Sequence, residues 1–321
     1  MAEEKGRVCV TGAGGYVGSW LVKLLLSKGY EVHGTVRDPG DEKNAHLRKL
    51  DKASENLKLF KADLLDYSSL LAAIEGCIGV FHVASPVPSG AVPNPEVELI
   101  EPAITGTLNV LKACSEIRVK RVVVVSSVTA VLLNPSWPRD KVKDEACWSD
   151  KEYCRATKNW YHLSKTAAES EALEYGKKNM LDVVTVCPCF VFGPMLQSTT
   201  NTSSLFLIKI LRDGVDVLEN RLRHFVDVRD TAEALLLAYE KPEAEGRYIC
   251  TSHNMRMKDL AEKLRSMYPN HNYPKNFTDA KEEQVLSSEK LQKLGWNYRS
   301  LEQTLIDSVQ SYQDAGLISK D

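Results

Sequence analysis

The stretch RVCVTGAGGYVG, residues 7–18, decides the fold class of this chain. Its first part, Arg7 to Thr11, is a short, mainly apolar run that predicts a buried strand. Three evenly spaced glycines follow and lead into Tyr16 to Lys28, a helical pattern. Glycine permits a tight turn and a close backbone approach, and a helix N-terminus attracts phosphate, so this order predicts a dinucleotide site. The residues of this stretch predicted to bind the cofactor are Gly12, Gly14, Gly15, Tyr16, Val17 and Gly18.

Further short apolar runs alternate with helical patterns along the chain. The runs predicted as strands are Glu31 to Val36, Leu57 to Lys61, Val80 to Val83, Arg121 to Ser126 and Leu181 to Val186. Apolar strands separated by helices form a parallel sheet that is covered on both faces. The sequence therefore predicts an α/β fold with a Rossmann-type, doubly wound parallel sheet.

The regular alternation stops after about Phe192, where Pro, Ser, Thr and Asn become frequent. Helical patterns return around Leu205 to Arg212 and Thr231 to Glu240. We expect a smaller, mainly C-terminal substrate-binding domain after this change. The predicted division gives 1–190 plus about 221–245 to the dinucleotide-binding domain with the catalytic helix, and 191–220 plus 246–321 to the smaller domain.

The composition excludes several classes of function. The 321 residues include 41 basic and 43 acidic ones, well mixed, and the net charge of −2 leaves no basic stripe for nucleic acid. No apolar run reaches the length of a membrane span, and residues 1–6 are unlike a targeting presequence, so we expect a soluble, cytoplasmic protein. Eight scattered cysteines without metal-ligand spacing predict reduced thiols and no metal site. The sequence leaves the oligomeric state open.

The end of the second predicted strand indicates which nicotinamide cofactor is bound. An acid there binds the ribose of NAD, whereas a base binds the 2′-phosphate of NADP. Arg37 comes first, Lys43 follows in the next loop, and Asp38 before Pro39 is typical of a turn. We predict NADP(H) rather than NAD(H), with Arg37 and Lys43 as contacts. The alternative is that Arg37 is only a solvated surface residue.

The segment NWYHLSK, residues 159–165, places a tyrosine and a lysine one helical turn apart. A positive charge beside the Tyr161 phenol favours the phenolate, and the pair with Lys165 suits proton transfer to a carbonyl oxygen. Ser127 follows the predicted strand 121–126, where the carboxyl ends of parallel strands open into a ligand crevice. A hydroxyl there can donate to a carbonyl. The alternatives are a solvated helix face for the pair and a strand-end cap for the serine.

Taken together, these residues resemble the short-chain dehydrogenase/reductase superfamily over nearly the whole chain. The extended branch of that superfamily has Thr-Gly-x-x-Gly-x-x-Gly, a strand-end serine pair and Tyr-x-x-x-Lys, which match 11–18, 126–127 and 161–165. Four segments are similar to the plant group of cinnamoyl-CoA reductases, dihydroflavonol reductases and cinnamyl alcohol dehydrogenase-like proteins. These segments are 62–64, 159–161, 188–194 and 225–230.

The resemblance implies a role for each residue of the site. Ser127 would hold the substrate carbonyl oxygen and Tyr161 would protonate it, while the nicotinamide delivers hydride. Lys165 would bind the nicotinamide ribose and bias the tyrosine, so Tyr161 and Lys165 also contact the cofactor. Further implied cofactor contacts are Asp63 and Leu64 at the adenine, Val83, Ala84 and Ser85 along the cofactor backbone, Pro188 and Val191 at the carboxamide end, and Ser203.

Departures from the family pattern bear on the substrate. Cinnamoyl-CoA reductases tend to carry a His, a Lys and an Arg that engage CoA, and the matching positions hold Phe206, Lys209 and Met257. Loss of two cationic donors removes charge-assisted bonds to the CoA phosphates. We therefore expect an aromatic aldehyde, reduced reversibly to the alcohol, with Val128, Phe206 and Met257 as substrate contacts. Alternatively, Phe206 and Met257 pack in the core, or Arg256 supplies the missing cation.

Other functions remain open at this point. The same serine, tyrosine and lysine serve cinnamoyl-CoA reduction and dihydroflavonol reduction, and the tyrosine and lysine also serve nucleotide-sugar epimerisation. A non-catalytic regulator that senses NADP is an alternative of another class. Intact Ser127, Tyr161 and Lys165 argue against it, because a sensor does not need all three.

Overall fold

A computed structural model of the chain describes residues 5–320 apart from 88, 89, 91, 213, 215 and 281–283. The strands of this described part are β1 (Arg7–Thr11), β2 (Glu31–Val36), β3 (Leu57–Lys61), β4 (Gly79–His82), β5 (Arg121–Val125), β6 (Val183–Pro188), β7 (Phe190–Phe192), β8 (Val217–Asn220), β9 (Leu222–Asp227), β10 (Gly246–Cys250), β11 (His253–Arg256) and β12 (Asn276–Asp279). Its α-helices are α1 (Tyr16–Ser27), α2 (Ala45–Arg48), α3 (Ala53–Asn56), α4 (Tyr67–Ile74), α5 (Glu101–Ile117), α6 (Thr129–Leu132), α7 (Lys151–Ala156), α8 (Trp160–Asn179), α9 (Thr202–Arg212), α10 (Val228–Glu240), α11 (Met257–Met267), α12 (Glu289–Lys293) and α13 (Leu301–Asp314). A 3₁₀ turn covers Glu42–Asn44, and a π-helical turn covers Glu96–Ile100.

The central sheet of the described chain has seven parallel strands in the order β10-β6-β5-β4-β1-β2-β3. Its strands are short and rich in β-branched residues, and β5 is buried along its whole length. Strands β2 and β3 are added on one side of β1, whereas β4 and the later strands of this sheet are added on the other side. This change of side between β1 and β4 opens a ligand crevice at their carboxyl ends. The predicted Rossmann-type α/β fold is confirmed.

Helices cover both faces of this sheet. Helices α1 and α10 pack against each other on one face, and α4, α5 and α8 lie on the other. In α1 the buried residues Leu21, Val22 and Leu25 recur at helical spacing and turn one stripe toward the strands. None of the described helices combines the length and the apolar character that crossing a bilayer needs. All eight cysteines are free thiols.

A second core lies outside the central sheet. Strands β11, β9 and β7 form a small sheet, and helices α9, α11 and α13 contribute buried side chains such as Leu207, Leu260 and Leu305 to the same core. Two segments belong to a different sheet from the one that the predicted division of the chain implies. Residues 246–250 form the edge strand beside β6 in the large sheet, and residues 222–227 belong to the small one.

Candidate active site

The glycine-rich loop between β1 and α1 has the close packing that a dinucleotide needs. Gly12 has a positive φ of 67°, and a Cβ on it would lie 2.9 Å from Ala84 Cα. A Cβ on Gly18 would lie 2.3 Å from the Gly12 carbonyl oxygen, to which the Gly15 N–H donates at 3.0 Å. Larger residues would open this turn. The loop therefore fits the pyrophosphate of a dinucleotide at the N-terminus of α1.

The other predicted residues of the loop lie close to other parts of the chain. The Tyr16 side chain is buried, and its hydroxyl donates to the Gly193 carbonyl at 2.8 Å. Val17 is half-buried against the core, and a Cβ on Gly14 would lie 2.2 Å from Asn44 Oδ1. Tyr16 and Val17 can thus serve a phosphate only through the free N–H groups of the first helical turn.

A buried chain of hydrogen bonds fixes the loop that follows β4. Thr11 Oγ1 accepts from the N–H groups of Val83 and Ala84, both at 3.1 Å, and lies 2.9 Å from His82 Nδ1. The Thr11 hydroxyl donates its single hydrogen to His82 Nδ1, so the ring hydrogen of the neutral His82 is on Nε2. This Nε2–H donates to Thr107 Oγ1 at 3.1 Å. Burial lowers the pKa of His82 to about 3, and the ring stays neutral. This arrangement was missed in the sequence, although a buried strand that ends in histidine is unusual.

A cavity of about 230 Å³ lies at the carboxyl ends of β2 and β3, and Arg37 and Asp63 both line it. Arg37 is exposed at its edge, while the Lys43 ammonium forms an ion pair with Asp41 at 2.7 Å. Asp38 accepts from the Gly40 N–H at 2.8 Å, which confirms its predicted place in a turn. A second cavity, of about 260 Å³ beside 251–254 and 286–289, contains none of the predicted site residues.

The remaining predicted cofactor contacts lie on several elements. The Leu64 side chain packs against α5, where a Cβ on Gly106 would lie 2.8 Å from Leu64 Cβ. The half-buried Ser85 follows β4, Pro188 ends β6, Val191 is buried within β7, and Ser203 is half-buried in the first turn of α9.

The three predicted catalytic residues converge at the carboxyl end of β5. The Tyr161 phenol and the Ser127 hydroxyl interact, and burial outweighs this contact and raises the pKa of Tyr161 to about 12. The Lys165 ammonium donates to the Val125 carbonyl at 3.2 Å, and burial lowers its pKa to about 8. Burial therefore has the largest effect on the pKa of Tyr161, and the ammonium is held by a backbone carbonyl. The influence of Lys165 on the tyrosine stays a prediction.

A buried carboxylate lies one helical turn after the lysine. Glu169 accepts from Ser126 Oγ at 2.7 Å, Thr185 Oγ1 at 2.6 Å and the Cys187 thiol at 3.3 Å. The Arg247 guanidinium of β10 donates to both carboxylate oxygens, at 2.8 and 3.2 Å. The serine pair is thus divided, since Ser126 faces this network and the next residue faces the tyrosine. The sequence analysis did not single out Glu169, although its four-residue spacing from the lysine could have indicated it.

The predicted substrate contacts differ in their accessibility. Phe206 is half-buried, and its ring centroid lies 5.0 Å from that of Phe190. Val128 is buried in a small apolar cluster, and its N–H donates to a backbone carbonyl of β6. Met257 is 1% exposed within the second core, so its packing argues against a contact with substrate. Arg256 precedes it at the N-terminus of α11 and is half-buried.

The sequence matches the NAD dependent epimerase/dehydratase family over residues 8–250. The chain belongs to this family. A cinnamoyl-CoA reductase 1 from Petunia hybrida is 46% identical over 313 residues, which cover 96% of this chain and 92% of that protein. The crystal structure of vestitone reductase from alfalfa (Medicago sativa) has a TM-score of 0.84 at 33% identity and covers 98% of this chain and 100% of that one. A yeast methylglyoxal/isovaleraldehyde reductase complexed with NADPH has a TM-score of 0.81 at 26% identity, with 97% and 100% covered.

Membership of the NAD dependent epimerase/dehydratase family accounts for the glycine-rich loop and for the parallel sheet. The predicted resemblance to extended short-chain dehydrogenases and plant reductases is confirmed. The chain is a nicotinamide-dependent oxidoreductase of this family.

Proposed function

We propose that this chain reduces cinnamaldehyde-like aromatic aldehydes to alcohols. Its cofactor is NADP(H), and it acts as a reductase. The observation that supports the proposal best is the convergence of a serine, a tyrosine and a lysine at the carboxyl end of β5, at the same edge of the parallel sheet as the glycine-rich loop. Arg37, exposed at the mouth of the 230 Å³ cavity, supports a phosphate on the adenosine ribose.

In this proposal Ser127 holds the carbonyl oxygen by a hydrogen bond, and Tyr161 donates a proton to that oxygen. The raised pKa of Tyr161 keeps the phenol protonated before the transfer, as an acid must be. Lys165 lies one helical turn after Tyr161, and in this proposal its positive charge stabilises the phenolate that remains. When NADPH is bound, its nicotinamide supplies hydride to the carbonyl carbon. General acid catalysis of this kind contributes roughly 10²–10⁴ in rate.

The aldehyde is preferred because of the environment of Phe206. This aromatic side chain packs against Phe190 at a position where the family pattern has a cationic contact to CoA. Apolar rings favour an aromatic substrate and offer the CoA phosphates no charge-assisted bond. Met257 adds no support, since it is buried in the second core.

A CoA thioester is the second candidate. The Petunia relative is a cinnamoyl-CoA reductase by name, and it aligns with 96% of this chain. Lys209 is exposed on α9, and Arg256 lies one residue before the buried methionine. Both cations belong to the elements that carry the predicted substrate contacts, so a bound CoA would find positive charge there.

The test follows NADPH consumption with coniferaldehyde, feruloyl-CoA and dihydroquercetin side by side. We expect the highest kcat/KM with coniferaldehyde. The Tyr161→Phe variant should lose about 10²–10⁴ in kcat, while its Kd for NADPH changes by less than about twofold. Tyr153→Phe, which removes the same oxygen from an exposed tyrosine of α7, is the matched control and should keep full activity.

Three outcomes would contradict the proposal in different ways. A strong preference for feruloyl-CoA would replace the aldehyde by the thioester. Near-normal turnover in the Tyr161→Phe variant would remove the assigned acid. Binding of NADPH without turnover of any of the three compounds would favour a regulator that senses the cofactor.

A further inference from the structure

A row of aromatic rings on one face of the small sheet ends in a guanidinium. Phe190 of β7 is in register with Phe225 of β9, and Arg223 lies two residues before Phe225, so all three share a face. Phe192 and Phe225 stack with centroids 4.9 Å apart. The Arg223 guanidinium carbon lies 5.4 Å from the centroid of Phe190, which also contacts Phe206.

This guanidinium is incompletely bonded. Arg223 is half-buried, and within the described part of the chain its buried Nε has no hydrogen-bond acceptor. A buried donor without an acceptor costs free energy, so this N–H is available to an acceptor from outside the chain. Arg221, two residues earlier, differs in both respects, because it is exposed and forms an ion pair with Glu219 at 3.0 Å.

The same guanidinium lies near the proposed catalytic helix. His162, directly after Tyr161, is half-buried, and its pKa falls to about 4 because of burial, then the charge of Arg223 and then that of Arg221. On the other side, Phe190 follows Pro188 by two residues at the carboxyl end of β6. Arg223 therefore lies at the border of the region in which the substrate is expected.

We propose that Arg223 binds an oxyanion of the substrate, a carboxylate or phosphate oxygen remote from the reacting carbonyl, while the rings of Phe190 and Phe206 hold its aromatic part. The planar guanidinium fork matches both oxyanions. The inference rests on the proposed carbonyl reduction and extends it to the part of the substrate that does not react. The oxyanion has two sources, the phosphates of a CoA thioester or a group on the ring.

Two pairs of substrates distinguish these sources. One pair is 4-carboxycinnamaldehyde and cinnamaldehyde, and the other is feruloyl-CoA and feruloyl-N-acetylcysteamine, which lacks the phosphates. Arg223→Gln should lower kcat/KM by roughly 10–100-fold for the charged member of the relevant pair, and by less than about threefold for the neutral member. Arg223→Lys keeps the charge without the fork and should lose less. Arg221→Gln, the matched control, should stay within about twofold.

Binding gives a readout that does not depend on turnover. Calorimetry of 4-carboxycinnamyl alcohol and of free CoA against the NADP⁺-loaded protein should show tighter binding of one of them to the wild type than to Arg223→Gln. In the wild type, raising the salt concentration should also weaken that ligand more than cinnamyl alcohol. If Arg223→Gln folds poorly, the Arg223→Lys variant and the salt series on the wild type still test the proposal.

The outcomes separate the two proposals. Equal losses for charged and neutral substrates, or wild-type binding that is insensitive to salt and to Arg223, would overturn the oxyanion site while leaving carbonyl reduction in place. Failure of the wild type to reduce any of the four compounds would overturn the proposed function. Binding that depends on Arg223 would then still support the site.

Discussion

We predict that Arg37, a single exposed side chain, determines the cofactor preference of this chain. It follows β2 at the mouth of the cavity that Asp63 also lines, and the second predicted cation, Lys43, is already paired with Asp41. A guanidinium can donate hydrogen bonds to two oxygens of a 2′-phosphate, whereas NAD offers only hydroxyls at that place. The charge at residue 37 should therefore affect NADPH much more than NADH.

The Arg37→Asp variant tests this at the level of one residue. We expect its Kd for NADPH to rise roughly 30-fold or more, and its Kd for NADH to change by less than about threefold. Fluorescence titration of both cofactors measures this. Lys112→Asp, the same charge reversal at an exposed lysine of α5, should leave both constants unchanged. Equal losses for NADPH and NADH in the Arg37 variant would refute the assignment.

Single residues differ in how well the sequence predicts their surroundings. The turn at Asp38 was predictable because the side-chain bond to the Gly40 N–H is local. The burial of Tyr16 was not, since its partner, Gly193, lies 177 residues away. Arg223 could not be recognised either, because its significance depends on a ring from another strand. Local hydrogen bonds leave a signature in the sequence, and tertiary contacts do not.

At the scale of elements, Glu169 joins α8 to the central sheet. Its carboxylate binds hydroxyls from the end of β5 and from β6, together with Arg247 of β10. The same carboxylate raises the pKa of Lys165 and so opposes the lowering by burial. Removing its charge should lower the pKa of Lys165 below its present value of about 8.

As the pH rises, the Glu169→Gln variant should therefore begin to lose activity at a lower pH than the wild type does. The lysine is charged below its pKa and neutral above it, so a lowered pKa removes activity first near pH 8 and spares it near pH 6. The pH profile of kcat/KM measures this. Glu174→Gln, in an exposed pair with Lys178 on the same helix, is the control. If the Glu169→Gln variant folds and its kcat/KM declines at the same high pH as that of the wild type, the argument is contradicted.

The elements of the large sheet were largely predictable, because apolar β-branched runs and helical patterns alternate along the first two thirds of the chain. The strands β1, β2 and β3 have the bounds that the sequence predicted. Strand β10 was missed, since Gly246–Cys250 is separated along the chain from the other strands of its sheet by β7, α9, β8, β9 and α10. Its place is determined by parallel pairing with β6 and by the bond from Arg247 to α8.

At the scale of the whole molecule, residues 193–195 connect the two cores. The Gly193 carbonyl accepts a hydrogen bond from the Tyr16 hydroxyl of α1, and the Gly193 N–H donates to Ser308 Oγ of α13 at 2.7 Å. The Trp20 indole donates to the Pro194 carbonyl at 2.8 Å. The helix that follows the glycine-rich loop is thus bonded directly to the chain that leads into the second core.

The Tyr16→Phe variant should weaken this connection without touching the cofactor. It leaves the Gly193 carbonyl without its donor in a buried place, which should lower the free energy of unfolding by about 1–3 kcal/mol. Urea unfolding measures the loss, and Tyr153→Phe is the exposed control. Because the backbone N–H groups of α1 remain, the Kd for NADPH should rise by less than about threefold. A large loss of NADPH affinity would show instead that the Tyr16 side chain itself serves the cofactor, and an unchanged unfolding curve would show that this contact does not hold the two cores together.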